Sequence, residues 1–131
     1  MSPTLRNNFL DEITALAGTS ATIKLYTGTQ PGGGGTVTTL LGTYTCDVQA
    51  FAGNAAAGVL TLNGVTGSIA VATGTSTWFR LESSGSVFVF DGDISTVSQG
   101  TGDMLLNDTS IVQGGTLSLS GTNTITAPNA A

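Results

Sequence analysis

The stretch WFRLESSGSVFVFDGD, residues 78–93, predicts the architecture better than any other part of the sequence. Two runs of aromatic and β-branched residues flank a Ser- and Gly-containing loop at residues 83–86, which is typical of a β-hairpin. With Glu82 opposite Val87, strand alternation places four apolar side chains on one face, which we expect to be the core: Phe79, Leu81, Phe88 and Phe90. The other face then carries Trp78, Arg80, Glu82 and Asp91. Arg80 lies diagonally across from Asp91 in this register, which predicts an ion pair between them.

The composition indicates one domain with an unusual surface. The chain has 131 residues, enough for one core. We expect residues 1–18 to form a helical arm and residues 19–131 a β-sandwich. Charged residues make up only 8% of the sequence and apolar residues 40%, so hydroxyl and amide groups must supply most of the polar surface. Such a surface suits a soluble protein that packs against identical neighbours or a large assembly.

The charge and cysteine content exclude several classes of function. A net charge of −5 with three basic residues leaves no basic patch for nucleic acid or for an anionic membrane. Cys46 is the one cysteine, so no intrachain disulfide forms, and we expect it to be a small buried hydrophobe. Residues 1–8 lack the basic and apolar regions of a signal peptide, and no apolar run is long enough to span a bilayer. We expect a soluble protein made in the cytoplasm.

The first segment of the chain predicts a single helix over residues 3–17. Ser2 is a suitable N-cap, Pro3 suits the first helical position and Gly18 follows the end. Four apolar side chains recur at helical spacing and form one stripe: Leu5, Phe9, Ile13 and Leu16. The helix either lies on the sandwich or packs as an arm on a neighbouring subunit.

The rest of the chain predicts about eight short strands separated by Gly and Asn turns. A strand at residues 22–26 precedes a Gly-rich surface loop at 32–35, and another covers residues 36–47 with a kink at Gly42. Asn63 and Gly64 predict a hairpin between a strand at 59–62 and a segment at 65–71. Further strands are predicted at residues 103–112, 116–120 and 122–126. The predicted fold is all-β: an antiparallel β-sandwich of jelly-roll connectivity with one N-terminal α-helix, with immunoglobulin-like connectivity as the alternative.

The residues offer little catalytic chemistry. Histidine is absent, so the usual general base and the Ser-His and Cys-His pairs are missing. Glu82 with Asp91 or Asp93 is a conceivable carboxylate pair for glycoside hydrolysis. Arg80 beside them would keep a carboxylate ionised, and no row of aromatic side chains is present to hold a sugar. We therefore predict that the protein is not an enzyme and carries no cofactor.

Two features have competing interpretations. Asp91, Asp93, Asp103 and Asp108 are oxygen ligands near strand ends and are candidates for Ca²⁺, but they lack a complete EF-hand spacing and Asp beside Gly is common turn chemistry. Turns plus the Arg80 ion pair are the preferred interpretation. Trp78 faces away from the core in the predicted register. It is either an exposed interface anchor or a side chain covered by the helix.

Five segments occur along the chain in a recognisable order: IKLYTGTQP at 23–31, LLGT at 40–43, TWFRL at 77–81, FDGDI at 90–94 and LNDTSI at 106–111. Together with the leading helix they resemble a family of small virion proteins of tailed bacteriophages, and the resemblance covers nearly the whole chain. It implies a structural protein of the particle, in the first place a head decoration, or cement, protein. The family pattern supplies no catalytic residue and no role for Cys46 or for residues 32–35.

The resemblance implies a definite set of partners. A decoration protein binds the major capsid protein on the outside of the mature head and self-associates, commonly as a homotrimer. The expected location is the capsid surface of the virion. The candidate contact residues are Leu5, Phe9, Ile13, Leu16, Pro31 and Trp78, on the helix and beside the Gly-rich loop. The alternatives are a tail or head–tail component and a receptor- or carbohydrate-binding β-sandwich module.

Overall fold

The computed structural model describes residues 2–32, 34–46, 59–61, 65–96, 98–99, 104–106, 108–117 and 124–126. Within these residues the chain is mostly β with one N-terminal helix, as predicted. The elements are α1 (Pro3–Ala17), β1 (Thr22–Thr27), β2 (Thr39–Cys46), β3 (Val59–Thr61), β4 (Val65–Gly67), β5 (Gly74–Thr75), β6 (Trp78–Glu82), β7 (Phe88–Thr96), β8 (Met104–Leu106), β9 (Ser110–Ile111) and β10 (Thr124–Thr126).

Helix α1 begins and ends where the sequence predicts. The Ser2 hydroxyl accepts a hydrogen bond from the Leu5 amide at 3.1 Å, and Pro3 occupies the first turn, where no intrahelical amide is needed. Gly18 ends the helix at a φ of 64° and donates its amide to the Thr14 carbonyl at 3.2 Å. Among the described residues, no helix has the length and apolar character required to cross a membrane.

The main sheet has six strands in the order β4-β2-β1-β6-β7-β8. All its pairs are antiparallel except β7 with β8, which run parallel, so the prediction of a purely antiparallel sheet is wrong at this edge. There are also two two-stranded antiparallel sheets, β3 with β10 and β5 with β9, and an isolated antiparallel bridge between Ile69 and Thr116. The described strands do not close into a complete sandwich.

The core lies on one face of the main sheet. Ile23 and Leu25 of β1 and Phe79 and Leu81 of β6 alternate onto this face. The face is covered by α1, which lies against β3 and β7, and by segments that follow the main hairpin. The covering side chains include Leu10, Ile13, Ala17, Ile111 and Leu117, and Met104 and Leu106 of edge strand β8 join the same cluster. Cys46 is buried in the same cluster, which confirms its prediction as a core residue.

The hairpin of β6 and β7 is present, but the predicted register is wrong by two residues. Leu81 pairs with Phe90, and Arg80 lies directly opposite Asp91 instead of diagonally. One residue of the shift arises in the turn. The amide of Ser83 donates to the Val87 carbonyl at 2.9 Å, so Val87 lies opposite Ser83 and not opposite Glu82 as predicted. The other comes from a β-bulge on β7 beyond the Glu82–Phe88 pair.

The bulge moves Phe88 out of the core. A shift of two residues keeps Phe79, Leu81 and Phe90 on the core face, because side chains alternate with a period of two. Phe88 precedes the bulge, pairs with Glu82 and is exposed on the opposite face. Its prediction as a core residue is therefore wrong. Val89, the extra residue of the bulge, packs partly buried against the core instead.

The hairpin predicted from Asn63 and Gly64 does not form between the flanking strands. β3 pairs with β10, and β4 pairs with β2 as the edge of the main sheet. Residues 62–64 themselves lie outside the described residues, as do residues 118–123 of the predicted last strands. An Asn-Gly pair favours a tight turn locally, and the long-range pairing of β4 with β2 outweighs that preference here.

The kink predicted at Gly42 coincides with an irregularity in the pairing of β1 with β2. Leu25 pairs with Gly42 while the next residue, Tyr26, pairs with Leu40, so Leu41 is the extra residue of a bulge. Gly42 has a packing role as well, because the Leu117 side chain occupies the space that a Cβ atom would need. The bulge therefore lies beside the position where the Leu117 side chain packs directly on the sheet.

The burial of Tyr44 on β2 leads us to expect a loss of stability in alkaline solution. Its side chain is fully buried in the core, and this burial raises the pKa of the phenol from 10.0 to about 12. Below pH 10 the phenol is neutral in the folded and in the unfolded chain. Between pH 10 and 12 the phenol loses its proton in the unfolded chain but keeps it in the folded chain. We expect the free energy of unfolding to fall by roughly 2–3 kcal/mol over this interval.

Urea titrations at several pH values measure this loss, with Tyr44→Phe as the control. Part of the loss should persist in the variant, because burial also raises the pKa of Tyr26. A variant that loses as much free energy as the wild type between pH 10 and 12 would contradict the assignment to Tyr44.

Candidate interface

The surface of α1 carries a row of exposed apolar side chains. Leu5, Phe9 and Leu16 are exposed by 55%, 55% and 56%. At 100° per residue they fall within about 40° of one another and span about 16 Å along the helix axis. Ile13 was grouped with them from its spacing, but it belongs to the buried face together with Leu10 and Ala17. We call Leu5, Phe9 and Leu16 the helix stripe.

The helix stripe is held on a fixed support. Leu10, Ile13 and Ala17 anchor the neighbouring face of α1 in the core, so the helix lies on the sheet in the described chain. The helix is therefore apolar on two adjacent faces, of which the fold covers one. Large apolar side chains aligned on a rigid element are a common feature of protein interfaces.

Trp78 is completely buried, which excludes an exposed anchor in this chain, but the part of the chain that covers it is not the helix. It lies on the sheet face opposite the core, stacked on Tyr26 with ring centroids 4.4 Å apart. Its indole Nε1 donates to the Thr38 hydroxyl at 3.0 Å. The loop between β1 and β2 covers it, so Trp78 is neither an exposed anchor in this chain nor a residue beneath the helix. Pro31 of the same loop is half-buried.

The predicted ion pair between Arg80 and Asp91 is present and buried. Arg80 Nε lies 2.8 Å from Asp91 Oδ1, and Arg80 Nη2 lies 3.0 Å from Asp91 Oδ2. The two side chains are only 8% and 5% exposed. The guanidinium also stacks against aromatic rings, 5.5 Å from the centroid of Trp78 and 5.0 Å from that of Phe88. This arrangement satisfies the charge of a basic residue within the fold.

Arg80 also fixes the Gly-rich loop. Its Nη2 donates to the Gly35 carbonyl at 2.9 Å, and the ring of Phe88 packs where a side chain at Gly34 would lie. The Thr38 hydroxyl donates to the Thr27 carbonyl at the base of the loop. Arg80 and Trp78 are thus residues that position the loop. The sequence predicts the ion pair but not this third contact.

The remaining basic residue of the sheet is paired as well. Lys24 Nζ lies 2.6 Å from Glu82 Oε1 on the same face as Arg80. Of the three basic residues in the sequence, Lys24 and Arg80 are therefore engaged in intramolecular ion pairs.

The carboxylates considered for Ca²⁺ are not gathered into one site. Asp91 is bound by Arg80, and Asp108 Oδ1 accepts the Ser110 amide at 2.9 Å in a local turn. Asp93 is exposed on β7 opposite Trp78, and Asp103 lies outside the described residues. Within the part of the chain that the structure describes, no three potential metal-ligating side chains lie together.

A second apolar patch was not recognised from the sequence. Ile69, Val71 and Val112 are exposed. The segment with Ile69 and Val71 is joined to the segment with Val112 by a hydrogen bond in which the Ala70 amide donates to the Gly115 carbonyl at 2.8 Å. A groove of about 220 Å³ lies beside them, lined by Ala70, Ser110, Ile111, Val112, Gly115, Thr116 and Leu117. The alternation of Ile69 and Val71 around buried Ala70 could have indicated an apolar outer face.

Comparisons with known proteins identify no relative for this chain. No model of a protein family matches it, no curated protein matches it and no solved structure matches it. The class of protein defined by the fold and the candidate interface is therefore described in structural terms: a mostly β domain that presents an apolar helix face and a second apolar patch on a surface with few charges.

Proposed function

We propose that the protein is a bacteriophage capsid decoration, or cement, protein that binds the outside of the mature head and stabilises it by non-catalytic contacts. The observation that carries this proposal is the helix stripe, which exposes three large apolar side chains on a helix anchored in the core. The motif resemblance described above points to the same class of structural protein. Binding to the major capsid protein, a homotrimeric state and location on the virion surface are parts of the proposal.

The composition supports contacts of this kind. A surface with few charged residues can be buried against another protein at low desolvation cost, since charged groups are the most expensive to remove from water. The intramolecular ion pairs of Lys24 and Arg80 lower the number of unpaired basic charges further. The jelly-roll sandwich is also kept as part of the proposal, supported by the six-stranded sheet and the smaller sheets beside it.

The described aromatic residues give less support to a carbohydrate-binding module. Sugar rings stack on exposed aromatic side chains, but Tyr26, Tyr44 and Trp78 are buried. Among the described aromatic residues, Phe9 and Phe88 are the exposed ones, and Phe88 packs on Arg80. A tail or head–tail component would use the same kind of apolar contact and differs in location on the particle.

Substitution of the helix stripe tests the proposal. The triple variant Leu5→Gln, Phe9→Gln, Leu16→Gln should fold as the wild type, because all three side chains are exposed, but should no longer co-sediment with phage heads prepared without the protein. Deletion of the helix is a poorer test, since it would also remove core residues Leu10, Ile13 and Ala17.

The matched control for the helix stripe is the second apolar patch. Ile69→Gln together with Val112→Gln changes exposed apolar side chains of similar exposure elsewhere on the molecule, and it should leave head binding in place. Heads that bind the helix-stripe variant as well as the wild type, or that bind neither chain, would contradict the proposal.

A further inference from the structure

We propose that the helix stripe docks into an apolar groove on a different protein, and that this groove carries a Lys or Arg side chain placed to meet Glu12. This inference rests on the proposed function in treating the stripe as an interface, and it adds the chemistry of the partner. Two facts support this proposal: the position of Glu12 on α1, and the small number of basic side chains that a second copy of the chain could offer it.

Glu12 lies in line with the helix stripe. Residues 5, 9, 12 and 16 are separated by four, three and four positions, which places Glu12 between Phe9 and Leu16 on the same side of α1. Glu12 is exposed, as are the two apolar neighbours. A partner that covers Phe9 and Leu16 must also cover this carboxylate.

A purely apolar partner would be penalised at this position. Burying an ionised carboxylate without a compensating charge or hydrogen bonds costs several kcal/mol. A cationic side chain at the edge of the groove removes that penalty and adds a charge-assisted hydrogen bond. It would also increase the association rate of a chain whose net charge is −5.

A second copy of the chain meets this requirement poorly. Lys24 is held by Glu82 and Arg80 by Asp91, so two of the three basic residues of a second copy already pair with a carboxylate of their own chain. In a parallel helix pair Glu12 would face Glu12, and each copy would bring a net charge of −5. The charges therefore favour a partner of another sequence with a basic, apolar surface.

Two designed peptides test the partner chemistry with the intact protein. Both are helical and carry the same row of Leu residues, but one has Lys and the other Glu at the flanking positions. Fluorescence anisotropy should show binding of the Lys peptide, at least tenfold tighter than that of the Glu peptide, with the difference decreasing as ionic strength rises above about 0.15 M.

Four variants separate local docking from general attraction to a negative protein. Phe9→Gln should weaken binding of the Lys peptide about tenfold or more, and Glu12→Gln about threefold. Asp108→Asn removes the same unit of charge from a turn away from the helix and should have little effect. Ile69→Gln, on the second apolar patch, should also leave binding unchanged.

Several results would overturn the inference. Equal binding of the two peptides, no binding of the Lys peptide, or equal effects of Glu12→Gln and Asp108→Asn would each contradict it. A dimer in sedimentation equilibrium that Phe9→Gln dissociates would show that a second copy covers the stripe. Head binding by the wild type with any of these results would leave the proposed function standing, so the two proposals fail separately.

Discussion

Asp91→Ala is expected to destabilise the protein by about 3–5 kcal/mol, because it leaves the guanidinium of Arg80 buried without its counter-charge. In the wild type, Asp91 accepts two hydrogen bonds from Arg80, at 2.8 and 3.0 Å, and the Arg80 side chain is 8% exposed. Arg80 would keep its hydrogen bond to the Gly35 carbonyl, which carries no full negative charge. Urea denaturation followed by Trp78 fluorescence measures the loss directly.

The double variant Arg80→Met, Asp91→Leu separates the cost of the unpaired charge from the value of the pair. Apolar residues of similar volume can replace a buried ion pair at little cost, so this variant should recover most of the stability lost in Asp91→Ala. Glu82→Gln is the matched control, because the more exposed pair with Lys24 contributes only about 0–1 kcal/mol. If Asp91→Ala loses no more than Glu82→Gln, the account of Arg80 is wrong.

Gly67→Ala is expected to be the most damaging glycine substitution among the described positions. A Cβ atom at residue 67 would collide with the carbonyl oxygen of Leu117, and that segment is held in place by the Leu117 amide, which donates to the Ser68 carbonyl at 3.1 Å. Backbone cannot rotate away as a side chain can. We expect a loss of about 3 kcal/mol or more, measured by thermal or urea unfolding.

Gly42→Ala and Gly85→Ala are the controls for Gly67→Ala. At Gly42 the added Cβ would meet the Leu117 side chain instead of backbone, so Leu117→Ala should relieve the clash there but not at Gly67. At Gly85 the nearest atom is the Ser83 hydroxyl at 3.9 Å, so Gly85→Ala should be close to neutral. Rescue of Gly67→Ala by Leu117→Ala would contradict the clash with the Leu117 backbone.

The sequence predicted those features that depend on local pattern. Ser2, Pro3 and Gly18 define α1, and alternation along β1 and β6 defines the core face. The ion pair of Arg80 with Asp91 was predicted because a shift of two residues leaves both side chains on the same face. The prediction of the ion pair was therefore correct because side chains alternate along a strand, although the predicted register was wrong.

The features that the sequence analysis missed depend on non-local packing. A bulge on β7 placed Phe88 beside Arg80, and the pairing of β4 with β2 replaced the hairpin predicted from Asn63 and Gly64. Trp78 is buried by a loop whose Gly content indicated only a surface segment. On α1, spacing grouped Ile13 with the helix stripe, because periodicity does not show which of two adjacent apolar faces meets the core.

Cryo-EM reconstruction of the phage particle that contains this chain tests the central claim most directly. The account predicts density for the protein repeated over the outside of the capsid at symmetry or quasi-symmetry axes, with the face of α1 that bears Leu5, Phe9 and Leu16 against a neighbouring protein. Density confined to the tail or to the portal vertex would contradict it, as would a particle without the chain.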